Sequence, residues 1–241
     1  DEGYWVNDLE MGRGGQSITI NSIEEEDDVA GLVGGALQKQ QMGNNGAARE
    51  IVRAASSRWL AVGSPVLDAY QKLLKEAANY EPAFQSFFED HPQLLDPMAV
   101  ELWPQPNLYG SRYPDFVVKR SDGTYLIVEI ECPSKRLVTK AGHLAADVTH
   151  AEHQVIDYRK YMLGHIMAMQ STFPGLSDPE CLVIIGMEND LSNKAKSALD
   201  AANEGRHRMR IVGFDWILKR AERIASNVAQ HGVEVTVSRI V

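Results

Sequence analysis

Cysteine is scarce in this sequence: Cys132 and Cys181 are the two in 241 residues, far apart and outside any Cys-x-x-Cys spacing. That excludes a disulfide framework and a cysteine-based zinc site. No apolar run approaches the roughly 18 residues that a membrane span requires, and the acidic opening DEGYWVNDLE is not a signal or transit peptide. No membrane partner is expected, and a cytoplasmic location is the default. The runs MGRGGQ and GLVGG lack the Gly-Lys-Ser/Thr ending of a phosphate loop and read as turn and packing glycines. Positive charge is also short, with 24 Lys and Arg against 33 Asp and Glu and a net charge of −9. The deficit is uneven, since residues 1–101 hold 7 basic against 17 acidic residues and residues 102–241 hold 17 against 16. Acidity is thus an N-terminal property, and a net-acidic chain keeps room for a nucleic-acid partner in its second half. Because the chain begins at Asp rather than Met, an upstream segment is expected.

What is present divides into two parts. Residues 1–63 read as mixed strand and helix of unknown role: YWV and SITI have β character, and SIEEEDDVAGLVGGALQKQQ opens like a helix with acids in its first turn. Residues 64–241 read as one α/β domain. SPVLDAYQKLLKEAAN carries Pro65 at a helix start and apolar residues at helical spacing, and EPAFQSFFEDHPQLLDP stacks Phe84, Phe87 and Phe88 on one side. Downstream, CLVIIGM, LSNKAKSALDAAN, MRIVGF and DWILKRAERIASNVAQH alternate strand, helix, strand and helix, the last capped by Asp215. That alternation implies a sheet covered by helices on both faces, a three-layer domain.

Between these lies YPDFVVKRSDGTYLIVEIECPSK, residues 113–135, two β-branched or aromatic runs joined by a Ser-Asp-Gly turn. Period two places Ile127, Glu129 and Glu131 on one face and Leu126, Val128 and Ile130 on the other. Two carboxylates on one face of an apolar strand repel each other and lose solvation unless a cation joins them. A turn centred near Asp122 brings Asp115 opposite Glu129. Three such oxygen ligands suit Mg²⁺, with Mn²⁺ able to substitute. The competing reading is an exposed sheet edge with solvated acids.

The following segment, HLAADVTHAEHQVIDYRKYMLGHIMAMQ, reads as a long helix with an apolar seam of Val148, Ala151, Val155, Met162, Ile166 and Met169. A polar stripe of His143, Asp147, His150, Gln154 and Tyr158 accompanies it at intervals of three and four. Gln154 and Tyr158 are expected to face the acid cluster, while His150 with His153 is a weak alternative metal pair. Residues 194–223 carry eight basic and four acidic residues. Arg206, Arg208 and Arg210 at their centre are read as phosphate contacts, the alternative being a solvated face.

Pro114-Asp115, Glu129-Ile130-Glu131 and Gln154-x-x-x-Tyr158 together resemble the PD-(D/E)xK phosphodiesterase superfamily, with the Q-x-x-x-Y element of its RecB-like members. FQSFFEDHPQLL before the hairpin and CLVIIGMEND and RIVGFDWILKRAERI after it resemble the Shedu anti-phage defence nucleases, over about residues 80–225. The resemblance implies a restriction-endonuclease-like fold, metal-dependent DNA cleavage in bacterial immunity and assembly into homo-oligomers. It assigns the metal to Asp115, Glu129, the Ile130 carbonyl and Glu131, and substrate positioning to Gln154 and Tyr158. Glu89 resembles the helix acid that often completes such a site. Glu131 stands where the superfamily usually has Lys, a residue that steadies the developing charge. Glu131 is then a ligand or base; a displaced cation, Lys119, Lys135 or Lys140, takes the lysine's place; or the domain is a weakened nuclease that binds nucleic acid without cutting it.

Overall fold

The computed structural model describes residues 4–6, 18–20, 64–108, 110 and 112–226. Two compact units partition the chain, Asp1–Gly63 with Arg223–Val241, and Ser64–Glu222. In the first, β1 (Tyr4–Val6) and β2 (Ile18–Ile20) pair antiparallel. The helices expected between residues 22 and 63, and the last turns of the terminal helix beyond residue 226, lie outside the described residues.

The second unit is built on a five-stranded sheet of order β3–β4–β5–β6–β7. β3 (Ala99–Pro104), β4 (Phe116–Arg120) and β5 (Tyr125–Ile130) form an antiparallel meander, and β6 (Glu180–Ile184) and β7 (Met209–Val212) continue it in parallel. The change of direction follows from the connections. Four residues close the β4–β5 turn, with Gly123 at φ +82° and the Asp122 carboxylate accepting from the Thr124 amide and hydroxyl; such a turn can only reverse the chain. Between β5 and β6 run α3 (Ala146–Gly164) and the short α4 (Ile166–Met169), and α5 (Asn193–Glu204) links β6 to β7, so each is a helical crossover between parallel strands.

Alternation along the strands supplies two faces. Val117, Tyr125, Ile127, Val183 and Ile211 meet Val148, Ala151, Val155 and Met162 of α3 and Leu199 of α5. On the opposite face Phe116 packs edge-on against Phe88 of α2 (Glu81–Asp90), and Phe84 against Phe214, which opens α6 (Phe214–Ser226). Tyr70 of α1 (Ser64–Glu76) closes this aromatic layer and donates its hydroxyl to the Phe214 carbonyl. Each such side chain removed from water stabilises the fold by about 1.5–3 kcal/mol. The arrangement is the expected α/β three-layer sandwich. No described helix is long and apolar enough to cross a membrane.

Three local expectations change. The helix foreseen from His143 starts at Ala146 and breaks at His165. Gly142, at φ +93°, and a tight Thr139–His143 turn hold residues 139–143 outside the helix. Asp215, expected as a helix cap, lies inside the first turn of α6. It is buried, and its two oxygens accept the Glu188 and Asn189 amides at 2.7 and 2.9 Å. β3 has no counterpart in the sequence reading.

Candidate active site

The hairpin positions the acid pair. In the β4–β5 register Phe116 faces Val128, so one step further Asp115 abuts Glu129. The Asp115 carboxylate accepts the Ile130 amide at 2.8 Å, and the Asp115 amide donates to the Glu129 carboxylate. Glu129 is 7% exposed, on the face that Ile127 shares with α3. Its Oε2 is buried and receives no hydrogen bond. Burial, and then the charge of Asp115, hold Glu129 far above the ordinary carboxylate range. Asp115 is also raised, to about 7, by burial and by the charges of Glu81 and Glu131, against the lowering effect of the Ile130 amide. Two buried acids in contact cannot both ionise cheaply.

Two further acids complete the cluster. Glu131, just past β5, extends the parallel pairing by donating its amide to the Ile184 carbonyl. Its carboxylate pairs with Lys135, whose ammonium also stands 3.7 Å from Asp147 of α3. Glu81 opens α2 half-buried, with its amide donating to the Cys132 thiol. Burial and the charge of Glu131 raise the Glu81 carboxyl, and Lys135 opposes them. From α3, Gln154 donates to Tyr158, and the phenol is pushed up to about 12 by burial and then by the charge of Glu129. Gln154 and Tyr158 therefore face the acid pair.

Four carboxyls thus cluster, and one ammonium, Lys135, pairs with Glu131. The donor set is all oxygen and one buried carboxyl oxygen has no partner, both of which fit a hard divalent cation. Among the described residues, no three His, Cys, Asp or Glu side chains stand in a ready-made ligand arrangement. Asp115, Glu129, the Ile130 carbonyl and Glu131 are the groups that would hold the ion.

The description of the C-terminal domain of Shedu protein SduA matches residues 78–218, more than half of the chain. The chain belongs to this Shedu family. No curated protein matches it. The Shedu segment opens three residues before Glu81 and encloses every residue of the acid cluster, together with Gln154 and Tyr158.

Within that segment the other candidates disperse. Glu89 is exposed and accepts from Gln85, two turns along α2 from the cluster. Lys119 lies toward the far end of β4, 4.0 Å from Glu101 and over the Tyr125 ring. His150 is exposed on α3. Lys140 lines a separate cleft, which Lys135 shares. Arg206 pairs with Glu152 at 2.7 Å, Arg208 with Asp178 at 3.5 Å, and Arg210 stacks 4.8 Å over the Trp216 ring.

Glu81 is the residue that sequence reading missed. Its signal was present: Glu81, Gln85 and Glu89 recur every four residues on the flank of α2 beside Phe84 and Phe88, and Gln85 donates to the Asp115 carbonyl at 3.3 Å. The acid nearest the site is the first member of that row, where the helix meets the ends of the strands.

Proposed function

We propose that this Shedu chain is a Mg²⁺-dependent deoxyribonuclease of the PD-(D/E)xK kind, acting in anti-phage defence. One observation carries the reading: a buried glutamate, Glu129, with an oxygen that no donor reaches, placed against Asp115. Two adjacent buried carboxyls cost stability when they ionise unless a cation offsets their charge, and such a cost is characteristic of functional sites.

When bound, the ion would supply Lewis-acid polarisation of a phosphoryl oxygen. Asp115 and Glu129 set its place, both fixed by the hairpin register. Glu131 is the proton acceptor for the attacking water, and its pairing with Lys135 gives the odd glutamate a physical account: the cation usual at position 131 is supplied one helical-turn spacing later. Lys135 then steadies charge developing on the phosphoryl oxygens. Gln154 and Tyr158 orient the water or the scissile phosphate; a phenol held near 12 stays protonated at neutral pH and acts as a hydrogen-bond donor.

Calorimetry with Mn²⁺ and cleavage of a linear duplex test this reading. Parent protein should bind the ion and cut in Mg²⁺ but not in EDTA, and Asp115→Ala and Glu129→Ala should abolish both. Ion binding unchanged in both variants ends the metal-site idea. A second reading, nucleic-acid binding without cleavage, is favoured by Glu131 in the lysine position and predicts duplex binding without products.

A further inference from the structure

A cleft of about 380 Å³ adjoins the acid cluster. One wall is the loop that follows β5, residues 133–142, and the other is the turn after β6 together with the start of α5. Lys135 belongs to both places, lining the cleft while its ammonium holds Glu131. Arg136, Lys140 and Lys194 complete a lining of four cations against one carboxylate, Asp190. In a chain of net charge −9 this is a local reversal of sign.

Among the described residues no carboxylate forms an ion pair with Arg136, Lys140 or Lys194, and all three are exposed. The Arg206–Arg210 segment differs, because Arg206 pairs with Glu152 and Arg208 with Asp178. The start of α5 adds to the positive potential: Ser192 accepts the Ala195 amide, and the helix dipole points its positive end at the cleft. The walls come close where Gly142, at φ +93°, faces Lys194: a Cβ added there would lie 3.6 Å from the Lys194 side chain.

We infer that this cleft is the track for the backbone phosphates flanking the scissile group, seating the nucleic-acid strand so that it enters the acid cluster past Lys135. The inference rests on the phosphodiesterase reading for what happens at the end of the track. The chemistry recognised is a phosphate ester anion, which a free phosphate or a nucleotide also presents. A strand is favoured because Lys135 both lines the cleft and pairs with Glu131, which puts the cleft beside the proposed site of phosphodiester chemistry. Seating a polyanion here also answers an electrostatic problem: four carboxyls repel an approaching strand, and the adjacent cations offset that repulsion.

The test uses the whole chain in Ca²⁺, with a fluorescent duplex of about 30 base pairs read by anisotropy at several salt concentrations. For the double variant Arg136→Gln/Lys194→Gln the expected outcome is affinity weakened on the order of 10-fold or more, and a log–log salt slope shallower by about 2, one for each lost phosphate contact. An unchanged melting temperature establishes that the variant folds. In parallel, inorganic phosphate titrated into the parent should shift the amide resonances of Gly142 and Ala195, which depends on no variant. Affinity and slope equal to the parent's overturn the strand track, and if phosphate still shifts those amides the cleft takes a small anion. A parent that binds the duplex through these cations yet never cuts it supports the track and overturns the catalytic reading alone.

Discussion

At the scale of single residues, Glu129 determines how the metal-free protein responds to pH. Its carboxyl and that of Asp115 are both raised by burial first, Glu129 then by the charge of Asp115 and Asp115 by those of Glu81 and Glu131, Asp115 to about 7 from an ordinary 3.8 and Glu129 further. In the unfolded chain both titrate in the ordinary range. Between those limits the folded chain binds more protons than the unfolded one, so stability falls as pH rises. The contribution is fully present below the ordinary carboxylate range and is lost as pH climbs through the folded values. Glu129→Gln should therefore flatten the fall and raise the melting temperature of metal-free protein by a few degrees at about pH 8, with little change at about pH 4. Thermal melts in EDTA across that range check it; an unchanged slope removes Glu129 from the account. Gln154→Ala belongs to the same scale. One lost positioning hydrogen bond costs about 2–4 kcal/mol of barrier, so the cleavage rate should drop on the order of 10²-fold while duplex affinity holds. Single-turnover kinetics and anisotropy separate the two.

Among the elements, the loop after β5 carries the most function per residue, and Gly186 at the end of β6 fixes its place. At φ +64°, a Cβ on Gly186 would lie 2.5 Å from the Lys135 carbonyl. Gly186→Ala should cost on the order of 1–3 kcal/mol in urea melts and lower the cleavage rate by displacing Lys135 from Glu131. A stability loss with normal turnover would show that this loop tolerates movement. The same elements show why some of the site was legible and some was not. The β4–β5 hairpin announced itself through strict alternation and Ser-Asp-Gly, and its register followed from the turn centre alone. Gln154 and Tyr158 followed from helical spacing. β3 escaped because an edge strand half open to water shows no clean alternation, and a bulge between Ala99 and Glu101 shifts its phase. Glu81 escaped because the row it shares with Gln85 and Glu89 gives three candidates, and only tertiary docking says which end meets the strands.

For the molecule as a whole, the acid cluster links three segments that would otherwise repel: the hairpin, the start of α2 and the loop bearing Lys135. Saturating Mn²⁺ should raise the melting temperature of the parent, by an amount equivalent to about 2.7 kcal/mol at a hundredfold excess over Kd, and should leave Asp115→Ala unmoved. Differential scanning calorimetry reads both. The hairpin register has a consequence in time as well as in energy. Asp115 and Glu129 meet across a single tight turn, whereas Glu81 reaches them only when α2 docks and Ile184 only when a helical crossover has closed. Local contacts of this kind assemble before distant ones, because little chain entropy is lost in closing them. The acid pair should then be formed in the folding transition state and Glu81 not. Mn²⁺ would speed refolding through the pair, and Glu81→Gln would change the unfolding limb of a chevron plot while leaving the refolding limb in place. The nascent chain would carry its two principal ligands side by side before it had a core to bury them.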